Sequence, residues 1–179
     1  MPSLVTSLQF NMDTASKMRG NDRCILRSRL HRSSSQAVTT EGLCFEEMSQ
    51  WSHSLDRLLS SKYGVTIFQA FLKTEFSDEN IEFWMVCEDY KKTKSSFRMC
   101  SRAKKIFKRY IQAEAVREIN IDHKTRDLIR RNIKEPTTAC FDDAQRIVYG
   151  LMERDSYPRF LKSDIYQAFL DSTSESSRM

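Results

Sequence analysis

Two segments of the chain repeat apolar residues at positions i, i+3, i+4, i+7 and i+8, which is the spacing of one face of an α-helix. They cover residues 103–111 and 144–152. In the first segment, lysine and arginine fall between the apolar positions, so charge lies opposite the apolar face. No segment alternates apolar and polar residues convincingly, as a half-buried strand would. The pattern predicts an all-α protein.

The same spacing predicts further helices N-terminal to these segments. A first pair carries Trp51, Leu55, Leu58 and Leu59, followed by Ile67, Phe68, Phe71 and Leu72. Gly64 is predicted to end the first helix of the pair. Ser77 and Asp78 are predicted to cap the next helix, which is apolar around more than half of its circumference up to Tyr90. That helix is expected to be central and buried on several sides.

Shorter helices are predicted in the C-terminal part of the chain. Thr125 is expected to open one, and Asn132 falls at its end, because the residue before Pro136 is disfavoured in the α region. Asp155 and Ser163 are expected to cap two last short helices. Together the segments predict a bundle of about eight or nine helices.

The composition excludes several classes of protein. With 179 residues, 40% of them hydrophobic, the chain is expected to form one domain with tails. Its four glycines are scattered, so no glycine-rich loop could cradle a phosphate. The three histidines lack partners at metal-ligand spacing, and no G-x-S-x-G nucleophile motif occurs. We therefore assign no catalytic residue, no metal site and no cofactor.

The five cysteines make an odd count with no C-x-x-C pair, which is typical of a reduced, intracellular protein. No apolar stretch approaches the roughly 18 residues that a membrane-spanning helix needs. Cys87 and Cys140 stand among apolar residues and are predicted to be small core side chains.

The formal net charge of +5 is confined to one short segment. Residues 17–32 contain six basic residues and one acidic residue, whereas the other 23 basic and 23 acidic residues balance. Attraction to phosphate groups is therefore expected of this segment alone. It is predicted to belong to a flexible leader over residues 1–44, ahead of a domain over residues 45–171 and a disordered tail over residues 172–179.

Polar residues cluster where the predicted helices begin or end, at residues 77–80, at Asn132 and at residues 155–159. Such positions are common in partner-binding surfaces. Each cluster also has a structural interpretation, since Ser77, Asp78 and Asp155 could be N-caps and Asn132 a C-cap. Composition alone favours the caps.

Several motifs together resemble the regulator of G-protein signaling (RGS) family. They are Phe76-Ser77-Asp78-Glu79-Asn80-Ile81-Glu82-Phe83-Trp84, Cys87-Glu88-Asp89-Tyr90-Lys91-Lys92, Ile119-Asn120-Ile121-Asp122, Pro136-Thr137, Cys140-Phe141-Asp142-Asp143-Ala144-Gln145 and the run from Met152 to Ser163. They span residues 49–170 in the family's order. The resemblance implies a nine-helix bundle in two subdomains, which agrees with the helix count from the apolar spacing.

The resemblance also implies a function. Members bind the α subunit (Gα) of a heterotrimeric G protein in its transition-state arrangement and speed GTP hydrolysis without an active site of their own. The expected partners are the inhibitory and phospholipase-activating Gα classes, bound by a monomer. Carried over by position, the Gα-binding residues would be Phe76, Ser77, Glu79, Asn80, Asn132, Leu151, Asp155, Ser156 and Arg159. Asn132 would lie nearest the nucleotide, and Arg159 would hold Asp155 in place.

The basic leader predicts a second interaction, with the anionic inner face of the plasma membrane. Arg19, Arg23, Arg27 and Arg29 would contact lipid headgroups, and Cys24 beside them is a candidate for palmitoylation. The predicted location is therefore cytoplasmic, with reversible attachment to that membrane.

Two alternatives remain open at this point. The first is a scaffold that uses an RGS-like bundle to hold another signalling partner, against which the intact Glu79, Asn80, Asn132 and Asp155 argue. The second is a nucleic-acid binder that uses the basic leader, but the segment lacks interleaved aromatic residues and no recognition helix is apparent. We therefore expect no nucleic-acid partner.

Overall fold

The computed structural model describes residues 46–176, with side chains through residue 171. Over this range the chain forms eight α-helices and no strand, which confirms the predicted all-α class. They are α1 (Leu55–Ser60), α2 (Lys62–Thr74), α3 (Glu79–Lys91), α4 (Ser96–Ile106), α5 (His123–Asn132), α6 (Asp142–Leu151), α7 (Tyr157–Leu161) and α8 (Asp164–Ser176). Two π-helical segments, π1 (Phe107–Ile111) and π2 (Met152–Ser156), extend α4 and α6, and residues 46–50 are also helical.

The predicted leader, with Cys24 and its neighbouring arginines, lies outside the described residues. Among the helices of residues 46–176, none is long and apolar enough to cross a membrane.

The described chain divides into two compact units. The first combines residues 46–70 with residues 159–176, and the second comprises residues 71–158. In the first unit, Phe68 and Phe160 meet edge to face with ring centroids 5.2 Å apart, and Tyr166 donates a hydrogen bond from its hydroxyl to the Met48 carbonyl. Buried Trp51, Leu55 and Leu58 complete this core.

The junction of α1 and α2 corrects the predicted role of Gly64. The break falls at Ser61, whose backbone is extended and whose hydroxyl accepts a hydrogen bond from the Gly64 amide. Gly64 lies inside α2 and does not end a helix. A Cβ at this position would lie 3.0 Å from Leu58 Cδ1 and in harder conflict with the Leu58 carbonyl oxygen. Glycine is therefore needed here for the close approach of α1 and α2.

The second unit is built around α3, as the sequence predicts. Phe83 and Tyr90 of this helix each pack edge to face against Phe141. Cys87 and Cys140 are buried in the same core, which confirms their predicted role. Burial raises the pKa of the Cys140 thiol to about 11 and raises that of Cys87 further, so both stay protonated near neutral pH.

Helices α3 and α6 run antiparallel. Lys91 at the C-terminal end of α3 pairs with Asp142 at the first residue of α6, and one turn further along α6 the Gln145 amide donates to Glu88 at 2.6 Å and to the Trp84 carbonyl. The C-terminal end of α6, together with π2, therefore lies at the N-terminal end of α3.

Helix boundaries in the C-terminal part differ from the prediction at two places. Helix α5 begins at His123 and is capped by Asp122, whose carboxylate accepts from the Thr125 amide at 2.9 Å, so the predicted start at Thr125 is late. Ser163 caps α8 as predicted, accepting from the Tyr166 amide. Asp155 does not cap a helix, because it lies within π2, where the Tyr157 amide bonds to the Met152 carbonyl five residues back. Side chains of π-helical segments are often found at functional sites.

Candidate functional site

Three segments of the second unit meet at the N-terminal end of α3. Residues 76–80 lead directly into the helix. Residues 117–122 are tied to it by Arg117, whose guanidinium bonds Asp78 at 2.7 Å and Glu82 at 2.9 Å. Residues 151–156 arrive there because α6 is antiparallel to α3. We call these three segments the α3 face.

Phe76 has an unusual conformation. It follows α2 with a φ of 54°, in the left-handed region, and 93% of its side chain is exposed. The Ser77 amide closes the end of α2 with a hydrogen bond to the Leu72 carbonyl at 3.0 Å, the arrangement in which glycine is usual at the preceding position. An aromatic residue here costs conformational energy, and its exposed ring makes little contact within the fold. The ring is therefore a candidate for contact with a partner.

The capping hydrogen bonds expected of residues 77 and 78 are not formed. Asp78 stands at the N-cap position of α3 but makes no capping hydrogen bond, since its carboxylate binds Arg117. Within the described part of the chain, Ser77 Oγ and Asn80 Oδ1 are buried without a hydrogen-bonding partner. Glu79 is half-exposed at the first turn of α3. These side chains are not explained by helix capping.

A network of charged side chains underlies the α3 face. The Glu82 carboxylate accepts hydrogen bonds from Arg109 at 2.8 Å, from the Tyr110 hydroxyl at 2.6 Å and from Arg117 at 2.9 Å. Burial favours the neutral acid, but the hydrogen bonds from Tyr110 and Arg109 and the positive charges of Arg117 and Arg109 outweigh it, so the pKa of Glu82 is lowered. Glu82 is therefore ionised at neutral pH and holds both arginines.

The second segment presents one amide side chain outward. Ile119 and Ile121 are buried, whereas Asn120 between them is exposed. The Ile119 amide bonds to the Tyr110 carbonyl at 3.0 Å, which fixes this strip of backbone against π1. Asn120 belongs to one of the motifs that resemble the family, but it is not among the residues predicted to bind a partner. In the sequence, the alternation of apolar and polar residues just before the N-cap Asp122 is the signal that could have identified Asn120.

Asn132 lies elsewhere. It is the last residue of α5, about 15 Å along the helix axis from His123, which directly follows residues 117–122. The chain then continues to Thr137, whose carbonyl accepts from the Tyr90 hydroxyl near the C-terminal end of α3. The structure therefore does not bring Asn132 to the α3 face, where the exposed asparagine is Asn120.

The third segment supplies the remaining predicted residues. Leu151 is half-buried, Asp155 is exposed and Ser156 is buried, while Met152 anchors the segment in the interior. Arg159 is exposed on α7 and belongs to the first compact unit. Its pairing with Asp155 stays a prediction.

The conformation of Phe76 predicts that one substitution will raise stability and weaken partner binding. Replacing Phe76 with glycine should raise the free energy of unfolding by about 0.5–1 kcal/mol, because glycine adopts the left-handed conformation without strain. The same change removes the exposed ring and should weaken partner binding by roughly tenfold. Urea unfolding and a binding titration measure the two effects.

A Phe76→Leu variant is the matched control, since it keeps a large apolar side chain and the strain. It should show no gain in stability. A Phe76→Gly protein that is both stabilised and fully competent in binding would contradict the assignment of the ring to the partner surface.

Comparison with known proteins agrees with this geometry. Residues 54–169 match the family model described as "Regulator of G protein signaling domain", and this range includes the whole α3 face. The chain is 58% identical over 128 residues to "Regulator of G-protein signaling 13" of Homo sapiens, covering 72% of this chain and 80% of that protein. It is 53% identical over 136 residues to "Regulator of G-protein signaling 8" of Homo sapiens, covering 76% and 74%.

Proposed function

Because the chain belongs to the regulator of G-protein signaling family, we propose that it is a GTPase-activating protein for heterotrimeric G-protein α subunits, with no active site of its own. The observation that carries the proposal is the meeting of three sequence-distant segments at one end of α3. They present an exposed aromatic ring, carboxylates and an outward amide, which are groups suited to binding a protein surface.

The mechanism needs only differential binding. A Gα subunit already carries a transition-state arginine and a glutamine that orients the attacking water. A partner that binds the switch segments more tightly in the transition state than in the GTP-bound ground state lowers the barrier to hydrolysis. A rigid face built on α3, π1 and π2 meets that requirement, because it holds its contact groups in one arrangement before binding.

The roles of individual residues follow from their placement. The Asn120 amide offers both a donor and an acceptor from an exposed position in the middle segment, so it is suited to holding the switch residues around the attacking water. Glu79 and Asn80 would contact the partner from the first segment. Asp155 would accept a charge-assisted hydrogen bond from the third segment.

The proposal is tested by capture of purified Gα loaded with GDP, with and without aluminium fluoride, which mimics the transferring phosphoryl group. We expect capture to rise at least tenfold with fluoride, since each factor of ten corresponds to about 1.4 kcal/mol of preference for the transition state. Inhibitory and phospholipase-activating Gα are the classes to compare. Capture that ignores fluoride would support the scaffold function, and no capture by either class would refute the proposal.

The basic leader supports a second activity, attachment to anionic membrane, although it lies outside the described residues. Each Lys or Arg near such a surface contributes about 1 kcal/mol. Changing Arg19, Arg23, Arg27 and Arg29 to glutamine should therefore reduce sedimentation with anionic vesicles by at least roughly tenfold. The control variant removes four exposed charges from α4 and π1 instead, at Arg98, Lys104, Lys105 and Lys108.

Equal losses in the two variants would contradict a specific role of the leader. Attachment by acylation of Cys24 is a further part of this proposal, and a Cys24→Ser variant that keeps full membrane association in cells would exclude it.

A further inference from the structure

We propose that Arg117 is a positioning residue that tethers the Asn120 segment to the N-terminal end of α3, and that this tether sets the affinity for Gα. The proposal rests on the proposed function. Among the described residues, the ion pairs that join residues 117–122 to α3 or its N-cap are those of Arg117 with Asp78 and Glu82.

The tether has the geometry of a strong contact. The Arg117 guanidinium donates from Nη2 to Asp78 and from Nε to Glu82, so one planar group holds two carboxylates a turn apart. All three side chains are largely buried, with exposed fractions of 27%, 12% and 22% for Arg117, Asp78 and Glu82. Burial weakens screening by solvent, and the rigid fork of arginine loses little freedom on binding.

The tether acts close to the residue that it positions. Asn120 is three residues from Arg117, and two backbone hydrogen bonds fix the strip on π1, from the Arg117 amide to the Arg109 carbonyl and from the Ile119 amide to the Tyr110 carbonyl. The Asn120 side chain makes no hydrogen bond within residues 46–171, so its position follows from this backbone. Loosening the strip would impose an ordering cost when Gα binds.

Because Glu82 binds two arginines, the tethering role of Arg117 can be distinguished from a general contribution to stability. If Arg117 is removed, Glu82 keeps its bonds to Arg109 and Tyr110, both of which lie on π1. Asp78 loses its partner and the strip loses its tie to α3. If Arg109 is removed, Glu82 loses a bond of similar length, but Arg117 still holds the strip. Arg109 therefore provides a matched control that shares the same carboxylate.

The experiment compares Arg117→Gln, Arg117→Lys and Arg109→Gln in the full chain. Hydrogen exchange of the Arg117 and Ile119 amides measures how firmly residues 117–122 are held against π1. Single-turnover GTP hydrolysis by Gα, over a range of protein concentrations, measures the affinity and the maximal rate. We expect Arg117→Gln to speed both exchange rates at least tenfold and to raise the half-saturating concentration roughly tenfold, with the maximal rate within about twofold. Arg117→Lys, which keeps the charge but not the fork, should fall between.

Arg109→Gln should change the exchange rates and the half-saturating concentration by less than about twofold. Equal effects of Arg109→Gln and Arg117→Gln, or no effect of Arg117→Gln, would overturn the inference. Should Arg117→Gln fail to fold, the Arg117→Lys variant decides by the same two readouts. Failure of the wild-type chain to accelerate hydrolysis would defeat the proposed function alone, while the exchange measurement would still test the tether.

Discussion

Replacement of Asn120 by alanine is expected to reduce the acceleration of GTP hydrolysis by about 5- to 100-fold. The exposed amide would contribute about one or two hydrogen bonds to the bound switch segments, corresponding to roughly 1–3 kcal/mol of transition-state stabilisation. The fold should be unaffected, because this side chain is exposed and makes no hydrogen bond to the part of the chain that the structure describes. Single-turnover hydrolysis by Gα at saturating protein, measured beside thermal unfolding, separates lost activity from lost stability.

Asn132→Ala is the matched control for this prediction. The residue is the same, it is exposed, and it lies at the far end of α5 from the α3 face. We expect its acceleration to stay within about twofold of the wild-type value, with at most a small loss of helix stability. The reverse result, a large loss at Asn132 and none at Asn120, would restore the assignment made from the sequence and refute the one made from the structure.

The largest effect on stability is expected at Gly64. A Cβ there would press on the backbone carbonyl of Leu58, which cannot swing away as a side chain can. Gly64→Ala should therefore force α1 and α2 apart and lower the free energy of unfolding by about 2–4 kcal/mol. Urea unfolding followed by circular dichroism measures the change.

Gly150→Ala is the control for Gly64→Ala. A Cβ at Gly150 would meet only the guanidinium group of Arg154, between 3.0 and 3.4 Å away, at the end of a long side chain. Because that side chain can move, and because alanine favours helix over glycine, the substitution should be neutral or stabilising by up to about 1 kcal/mol. A Gly64→Ala protein as stable as Gly150→Ala would show that the two helices can separate at little cost.

Most of the fold could be predicted because it depends on local spacing. The apolar repeats at residues 103–111 and 144–152 report a buried helical face directly, and their central residues are buried as expected. The apolar spacing does not show where the α-helix changes to a π-helix. The spacing continues unchanged through π1 and π2, because the same residues stay buried when the backbone hydrogen bonds shift from four to five residues back.

The errors at Gly64 and Asp78 share a physical cause, which is that contacts between packed elements override the local preference of a residue. Glycine often ends a helix, but Gly64 lies inside α2 and is needed there because a Cβ would collide with the Leu58 carbonyl. Aspartate is a common N-cap residue, but the Asp78 carboxylate binds Arg117, which is 39 residues away in sequence. Asn120 and Asn132 are both asparagines beside an end of α5, and the ion pairs of Arg117 show which of these ends lies at the N-terminal end of α3.

Because three segments distant in sequence form the α3 face, the site also depends on complete folding and is sensitive to proteolysis. Because the third segment reaches the α3 face only through the pairing of α6 with α3, a chain that ends before residue 156 should bind Gα more weakly, and contacts of this sequence separation form late in folding. A single proteolytic cut in the connection after α3 would abolish recognition completely if it let the pieces part. Conversely, binding of a Gα subunit to the folded chain should lengthen the lifetime of the fold, because a partner that binds only the folded state stabilises it.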